Sequence, residues 1–143
     1  MDASVTFRDY RDRDRPACMG LFDANCPAFF APNEREDYAG FLRRCLPGYR
    51  VCERAGRVVG AWGRFGGDLN WILLDPSAQG LGIGSAIMDE VVGAARAAGL
   101  DTLRIAASHR SAPFFARFGA QAVAETVDGW GPGMHRIDMR LAL

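Results

Sequence analysis

Lysine is absent from this chain of 143 residues, and all seventeen of its basic residues are arginine. A P-loop nucleotide site requires Gly-x-x-x-x-Gly-Lys-Ser/Thr, in which the lysine contacts the terminal phosphates. The sequence therefore excludes this class of site. Any phosphate that a side chain binds must be bound by arginine.

An excess of charge is also absent, because seventeen acidic residues balance the arginines and the formal net charge is zero. Nucleic-acid binding depends on a basic surface that neutralises several phosphates, so no nucleic-acid partner is expected. No apolar run approaches the length of about 18 residues that spans a membrane, and the N-terminus begins polar without a hydrophobic signal region. We expect no membrane partner and a cytoplasmic protein.

Cysteine is scarce, and its four positions are Cys18, Cys26, Cys45 and Cys52. They lack the Cys-x-x-Cys pairs of a zinc site, so no metal is expected and the cysteines are predicted to be reduced core residues. The length suits one well-formed core rather than two ordinary domains. One domain over residues 1–143 is therefore predicted.

The most informative stretch is an apolar run, Asn70–Leu74, that stops at Pro76 and is followed by Gly80, Gly82 and Gly84. Helical spacing of small and apolar residues after the loop predicts a helix with one buried face; its members are Gly84, Ile87, Met88, Val91, Ala95 and Ala98. The first turn of a helix has unpaired N–H groups and a partial positive charge, which suits an anion. Glycines allow the anion to approach the backbone. The alternative is a glycine-rich turn that only joins strand to helix.

The glycine spacing separates this loop from a Rossmann fingerprint, which needs Gly-x-Gly-x-x-Gly in the first βα turn. The pattern Gln79-x-x-Gly82-x-Gly84, after the strand end Leu74-Asp75-Pro76, resembles the acetyl-CoA loop of the GNAT N-acetyltransferases. The segment Ser111–Ala120 resembles the Ala-x-x-Phe-Tyr-x-x-x-Gly-Phe helix of the same family. The resemblance implies an α/β (α+β) fold: a mixed sheet of about six to seven strands with about four helices, and a parallel strand pair that splays after Leu74.

The pass along the chain predicts elements that agree with this order. Asp14 and Asn33 are expected to cap two helices, which run from Pro16 to Asn25 and up to about Cys45. Ala55-Gly56 indicates a hairpin turn. The predicted strands after the second helix are Tyr49–Glu53, Arg57–Phe65, the central Asn70–Leu74, Leu103–Ala107, Ala120–Thr126 and Met134–Leu141.

The resemblance implies an acyltransferase, of the class that transfers groups other than amino-acyl groups, in which an amine attacks acetyl-CoA directly while both substrates are bound. Acetyl-CoA is then the co-substrate, and the strand end, the loop and the helix start would bind it. The residues expected to bind the cofactor are Ile72, Leu73, Leu74, Gln79, Gly80, Leu81, Gly82, Ile83, Gly84, Ser85, Ser108 and Phe115.

The chain departs from the family pattern in two places. Phe115 stands where a tyrosine usually protonates the departing thiolate, and Leu81 stands where a basic residue often lies. No carboxylate lies on the central strand, and deprotonation at pH 7 costs about 4.6 kcal/mol for a lysine-like amine but about 1 kcal/mol for an α-amine. A small-molecule or terminal amine of low pKa is therefore favoured as acceptor. His109 is the candidate catalytic residue, against a structural role for a lone histidine.

The acceptor pocket is expected to involve Asn25, Phe29, Phe30, Trp71, Asp128 and Trp130. Phe29 and Phe30 lie in a proline-bracketed loop and either fill the core or line the pocket. Asp128 and Trp130 lie in a Gly/Pro-rich segment that is either a substrate lid or a plain turn. A homodimer is a possible assembly. The alternatives to an active enzyme are a weak acyl-CoA-binding or sensing module and a different anion-binding α/β domain.

Overall fold

The computed structural model describes residues 4–44, 47–78 and 80–143. Within these residues the chain forms a seven-stranded mixed sheet in the order β1-β2-β3-β4-β5-β7-β6. The strands are β1 Thr6–Asp9, β2 Tyr49–Arg54, β3 Arg57–Phe65, β4 Asp68–Leu74, β5 Thr102–Ser108, β6 Gln121–Gly131 and β7 Met134–Ala142. Only β4 and β5 pair in parallel; the other neighbours are antiparallel. The predicted mixed fold is confirmed.

Four α-helices occur in the described residues: α1 Arg15–Ala24, α2 Glu34–Arg44, α3 Ile83–Ala97 and α4 Ala112–Ala116. Short 3-10 turns cover Asp12–Asp14 and Pro76–Ala78. The long helix α3 connects β4 to β5, and Gly99 follows its end with φ of 80°, as a C-terminal glycine should. The predicted end of α2 at Cys45 lies outside the described residues.

Two hydrophobic clusters pack on opposite faces of the sheet. Neighbouring residues alternate between them, as in Ala61 and Trp62 or Leu73 and Leu74, and successive strand residues point to opposite faces. The aliphatic cluster surrounds α3 and includes Ile83, Ile87, Met88, Val91, Leu103 and Ile105. The aromatic cluster lies under α1 and α2 and includes Phe22, Tyr38 and Tyr49 with the half-buried Phe30, Phe41 and Trp71. Each fully buried large side chain contributes about 1.5–3 kcal/mol.

A bulge in β4 explains why the sheet opens. Ala61 lies opposite Leu73 and Gly63 opposite Asn70, so β4 carries one residue more than β3 between these pairs. Trp71 sits in this bulge with a φ of 43°, and a bulge bends and twists its strand. Pairing with β5 stops at Leu69 and Ile105. The strands therefore diverge after Leu69, and the predicted position after Leu74 is too late because the bend comes earlier.

Two local predictions are wrong. Asp14 does not cap α1 with its side chain: its carboxylate is 4% exposed and accepts hydrogen bonds from the Arg8 guanidinium at 2.8 Å and from the N–H of Arg11 at 2.8 Å. These donors hold the pKa of Asp14 below its usual value. The segment after Thr126 is not a loop, because β6 continues to Gly131 through a register shift.

Candidate functional site

The opening between β4 and β5 leads into a cavity of about 680 Å³, a size typical of small-molecule sites. It continues towards α1, α2 and the β6–β7 hairpin. Many residues predicted to bind a cofactor or an acceptor line it: Asn25, Phe29, Phe30, Trp71, Ile72, Leu73, Leu74, Gly84, Ser108, Phe115 and Trp130.

The other predicted residues lie elsewhere. Five of them form the loop and first turn of α3 beyond the cavity wall: Gly80, Leu81, Gly82, Ile83 and Ser85. His109 and Asp128 are not part of the cavity lining, and Gln79 lies outside the described residues. The cavity thus contains most of the predicted acceptor residues, with the glycine loop at one end.

The glycines of the loop have two different functions. Gly80 and Gly82 have φ values of 82° and 75°, which a side chain rarely tolerates. Gly84 instead packs under Phe114, because a Cβ at Gly84 would lie 2.8 Å from the Phe114 Cε1 atom. The idea that Gly84 serves close approach of an anion is therefore incomplete: the ring of Phe114 also requires its small size.

The start of α3 has backbone N–H groups that can donate hydrogen bonds to a ligand. Gly82 is its N-cap, and the carbonyl of Gly82 accepts a hydrogen bond from the N–H of Ala86 at 3.1 Å. Among the described residues, the N–H groups of Gly84 and Ser85 have no acceptor. They are suited to an anionic group. Asn70 lines the cavity, but its Oδ1 is fully buried and has no hydrogen-bond partner among the described residues.

Ser108 and Phe115 are held by structural contacts. The Ser108 and Ser111 side chains each accept the other residue's backbone N–H at 3.0 Å, which fixes the turn into α4. Phe115 is 3% exposed and packs edge-on against Phe114, with ring centroids 5.1 Å apart. No hydroxyl is therefore present at the position where the family's tyrosine lies.

His109 and His135 form a pair at the end of β5. The N–H of His135 donates to Nδ1 of His109 at 3.1 Å, and the ring centroids are 4.7 Å apart. A neutral imidazole that accepts at Nδ1 carries its proton at Nε2. Nε2 then cannot also accept from the Arg110 Nε, which lies 3.2 Å away. The structure thus gives His109 a structural contact outside the cavity lining, and its catalytic role stays a prediction.

Trp71 is positioned by a chain of phenols. The hydroxyl of Tyr49 donates to the Trp71 carbonyl at 2.6 Å, and the Tyr38 hydroxyl lies 2.9 Å from that of Tyr49. Phe30 stacks on the buried Phe22 at 5.1 Å and also lines the cavity. Phe30 therefore combines the two alternatives, core and pocket, whereas Phe29 lines the cavity with 37% of its surface exposed.

Of the other predicted acceptor residues, Asn25 and Trp130 line the cavity and Asp128 does not. The amide nitrogen of Asn25 donates to the carbonyls of Leu21 at 2.8 Å and Leu74 at 2.9 Å, so it ties α1 to the end of β4. The Trp130 indole donates to the Ala107 carbonyl at 2.9 Å, and the residue lines the cavity. Asp128 is exposed and accepts from the N–H of Gly133 at 2.7 Å, which stabilises the hairpin turn.

Glu34 is a site residue that the sequence reasoning missed. It lines the cavity although it is only 5% exposed, and burial raises its pKa to about 7. The available signal was helical spacing: Glu34, Tyr38 and Leu42 form the buried face of α2. An acidic residue on a buried helix face is rare unless it has a partner or a role.

Four arginines also line the cavity: Arg104, Arg110, Arg117 and Arg136. Arg104 pairs with Asp68 at 2.7 Å, and Arg136 pairs with Asp138 at 2.8 Å while its guanidinium lies 5.0 Å from the Trp130 ring centroid. Within residues 4–44, 47–78 and 80–143, no group of three or more His, Cys, Asp or Glu side chains could hold a metal ion. None of the helices in those same ranges has the length and apolar content to cross a membrane.

The open parallel pair, followed by the glycine loop and the start of α3, is the strand–loop–helix order that the resemblance to the GNAT fold implies. A family model agrees over residues 8–120, which match the Acetyltransferase (GNAT) family. The chain therefore belongs to the GNAT acetyltransferase family. A search of curated proteins gives no match.

Solved structures give the same fold. A protein from Desulfovibrio desulfuricans, described as an acetyltransferase of the GNAT family, is 26% identical with a TM-score of 0.77, over 97% of this chain and 99% of the other. A GCN5-related N-acetyltransferase from Rhodopseudomonas palustris is 21% identical with a TM-score of 0.83, over 100% and 98%. The ribosomal-protein-S18-alanine N-acetyltransferase from Escherichia coli is 15% identical with a TM-score of 0.76, over 97% and 94%. The last two likenesses concern the fold alone.

Proposed function

We propose that this protein transfers the acetyl group of acetyl-CoA, rather than an amino-acyl group, to a small-molecule or terminal amine while both substrates are bound. The observation that carries the proposal is the cavity between β4 and β5, whose lining extends from Gly84 at the start of α3 to Phe30 and Glu34 on the α1–α2 side. One end suits a phosphorylated carrier, and the other suits an acceptor.

The described residues fit the carrier. The N–H groups of Gly84 and Ser85 suit its pyrophosphate, because they are unpaired among the described residues and lie at the positive end of α3. From Asn70 to Leu74, β4 has no pairing with β5, so this strand edge faces the cavity. Acetyl-CoA would supply an acyl group on a good leaving thiol, whose pKa is about 8.5.

The acceptor end would bind through side chains. Phe30, Trp71 and Trp130 provide apolar walls, and Glu34 is the only carboxylate on the α1–α2 side of the described lining. An amine fits such a site because aromatic faces and a carboxylate both favour a cation. Neither a metal nor a nucleic acid takes part in the proposed reaction.

A charge placed at the helix start tests the donor site. Gly82→Val is a poor probe because its φ of 75° strains any side chain. Ser85→Asp is better: Ser85 is an exposed first-turn residue, and an acid there favours the helix but repels a pyrophosphate. We expect Ser85→Asp to keep or raise the apo melting temperature and to lose stabilisation by CoA.

Gly93→Glu is the matched control, because Gly93 is exposed further along α3 and a Cβ there meets nothing within 4 Å. This variant should keep the response to CoA. Wild-type protein should also be stabilised more by CoA than by ATP or NAD. Equal stabilisation by all three ligands, or an unchanged CoA response in Ser85→Asp, would contradict the donor site.

The decisive activity measurement is CoA release from acetyl-CoA with a panel of amines. A second function, acyl-CoA binding or sensing without efficient transfer, is favoured by one observation: Phe115 is buried and offers no hydroxyl for the departing thiolate. CoA-dependent stabilisation with no amine-dependent release would support that second function and reject the first.

A further inference from the structure

We propose that Glu34 is a catalytic residue that accepts a proton from the acceptor amine, and that the acceptor is a primary amine on an apolar, flat body. This inference rests on the proposed function and deepens it. The observation behind it is a buried carboxylate in the lining of a cavity that Phe30, Trp71 and Trp130 also line. The proposed binding of acetyl-CoA does not use the carboxylate of Glu34.

The two oxygens of Glu34 have different surroundings. Oε2 accepts from the N–H of Ala31 at 2.8 Å, which fixes the side chain at the start of α2. Oε1 has no hydrogen-bond partner among the described residues, yet it is not one of the fully buried unpaired atoms. One oxygen is therefore held by the fold while the other is exposed to the cavity, directly or through one water, as a general base requires.

The aromatic residues that line the same cavity as Glu34 indicate the kind of group that the amine carries. Phe30 and Trp71 have ring centroids 6.0 Å apart, and both line the cavity. Flat apolar groups pack well against such rings, and an ammonium group is attracted to their faces. A primary amine with an aromatic or flat aliphatic substituent meets both requirements. An amine without such a substituent would not contact the two rings.

The charges around Glu34 allow it to change protonation near neutral pH. Burial raises the pKa of Glu34 to about 7; the Ala31 N–H lowers it, and Asp37 on the same helix raises it to a smaller extent. Cys26, in the segment after α1, has its own pKa raised by burial and by Asp23 and Glu34. Arg104, Arg110, Arg117 and Arg136 line other parts of the same cavity, and Asp23 is paired with Arg35 at 2.8 Å.

The proposed step balances as follows. An ammonium gives one proton to Oε1 of Glu34, and its nitrogen lone pair forms a bond to the acetyl carbon. The carbon–sulfur bond breaks, and its electron pair leaves with the thiolate. The second nitrogen proton ends on the thiolate, directly or through solvent, and Glu34 returns its proton to solvent, so the net products are the amide, CoA as the thiol and one proton.

Glu34→Gln is the test variant, because glutamine keeps an oxygen that can accept from the Ala31 N–H but cannot accept the amine proton. Glu36→Gln is the matched control on the exposed face of α2. Two aromatic amines of different basicity serve as acceptors: 2-phenylethylamine, nearer to lysine in pKa at about 10.4, and phenylalaninamide, nearer to an α-amine at about 7.7. Methylamine is the acceptor without an apolar body.

We expect wild-type kcat/KM for 2-phenylethylamine to rise with pH through about 7, well below the pKa of that amine. In Glu34→Gln this rise should move to the pKa of the amine, and kcat/KM at pH 7.5 should fall about 10²-fold or more. For phenylalaninamide, the fall in kcat/KM caused by Glu34→Gln should be smaller. Methylamine should be at least about tenfold worse than 2-phenylethylamine with wild type. A loss under about threefold with the rise near pH 7 retained would overturn the inference.

Calorimetry of amine binding separates this inference from the proposed function. Binding of 2-phenylethylamine at pH 7, measured in two buffers of different ionisation enthalpy, should release a fraction of a proton from wild type and from Glu36→Gln but none from Glu34→Gln. If wild type releases protons but forms no CoA, acetyl transfer is wrong while amine recognition at Glu34 is supported. If no variant binds the amine, or all three release protons equally, Glu34 is not the acceptor of the proton.

Discussion

The two ends of the cavity differ in the kind of group that they offer to a ligand. The donor end consists of β4, the glycine loop and the start of α3, and it offers backbone N–H groups and a strand edge. The acceptor end offers the side chains of Phe30, Glu34, Trp71 and Trp130. Backbone recognition depends on loop geometry and tolerates most sequences, whereas side-chain recognition depends on which residues pack together. The proposed donor end therefore depends on backbone geometry, and the proposed acceptor end depends on the side chains of this chain.

The packing behind each end follows the same division. The aliphatic cluster under α3 supports the donor end with branched side chains, while the aromatic cluster under α1 and α2 supports the acceptor end with stacked rings. Substitutions in one cluster should therefore affect one substrate more than the other. The predictions below test this difference.

The largest effect is expected for Phe22→Ala. Phe22 is fully buried and stacks on Phe30 and Tyr38, so its loss should cost about 3–5 kcal/mol in urea unfolding. KM for the amine should rise while the CoA dissociation constant changes by less than about twofold, well under 1.4 kcal/mol. Ile87→Ala in the aliphatic cluster is the counterpart, with a cost of about 2–5 kcal/mol. If Phe22→Ala changes the amine KM and the CoA dissociation constant by the same factor, the two clusters do not support separate ends of the cavity.

The pH dependence of stability should reveal Glu34 without any substrate. Its pKa is raised from 4.5 to about 7, so the folded state binds the proton more tightly. The resulting stability is complete below about pH 4.5 and is lost as pH rises to about 7, up to about 3 kcal/mol. Glu34→Gln should lack this loss and should be more stable than wild type at pH 7.5. Parallel unfolding curves for the two proteins across pH 4.5–7.5 would show that Glu34 is not perturbed.

A smaller effect is expected for Trp130→Phe. This change removes the indole N–H that donates to the buried Ala107 carbonyl, and an unpaired buried acceptor costs about 1–3 kcal/mol. Thermal unfolding should show the loss, and the amine KM should rise because Trp130 lines the acceptor end. CoA-dependent stabilisation should persist; its loss would place Trp130 at the donor end instead.

The smallest effect is expected for Phe115→Tyr. Only about 2 kcal/mol separates pH 7 from a thiol pKa of about 8.5, so thiolate departure needs little assistance. A phenol would also add a polar atom beside Phe114 in a buried pair. Turnover with acetyl-CoA and the best amine should therefore change by less than about tenfold. A larger gain would indicate that the natural site is a degraded catalyst, which favours the sensing function.

Much of the fold around the glycine loop could be predicted from sequence because its signals are local. Period-two runs, the hairpin at Ala55-Gly56 and the helical spacing after Gly84 each depend on a few consecutive residues, and the structure contains all three. The parallel pair follows from the crossover through α3, which is also a short-range feature. The position of the divergence did not follow, because the bulge at Trp71 depends on pairing with β3.

The sequence by itself determined the order of elements, the glycine loop and the family, since these rest on spacing along the chain. Tertiary structure alone decided that Gly84 must admit Phe114, that Asp14 pairs with Arg8, and that β6 brings Trp130 onto the Ala107 carbonyl. It also placed Glu34 in the lining of the cavity that Phe30 and Trp71 share. Burial and charge environment depend on residues distant in sequence, and the pKa of a carboxyl depends on both.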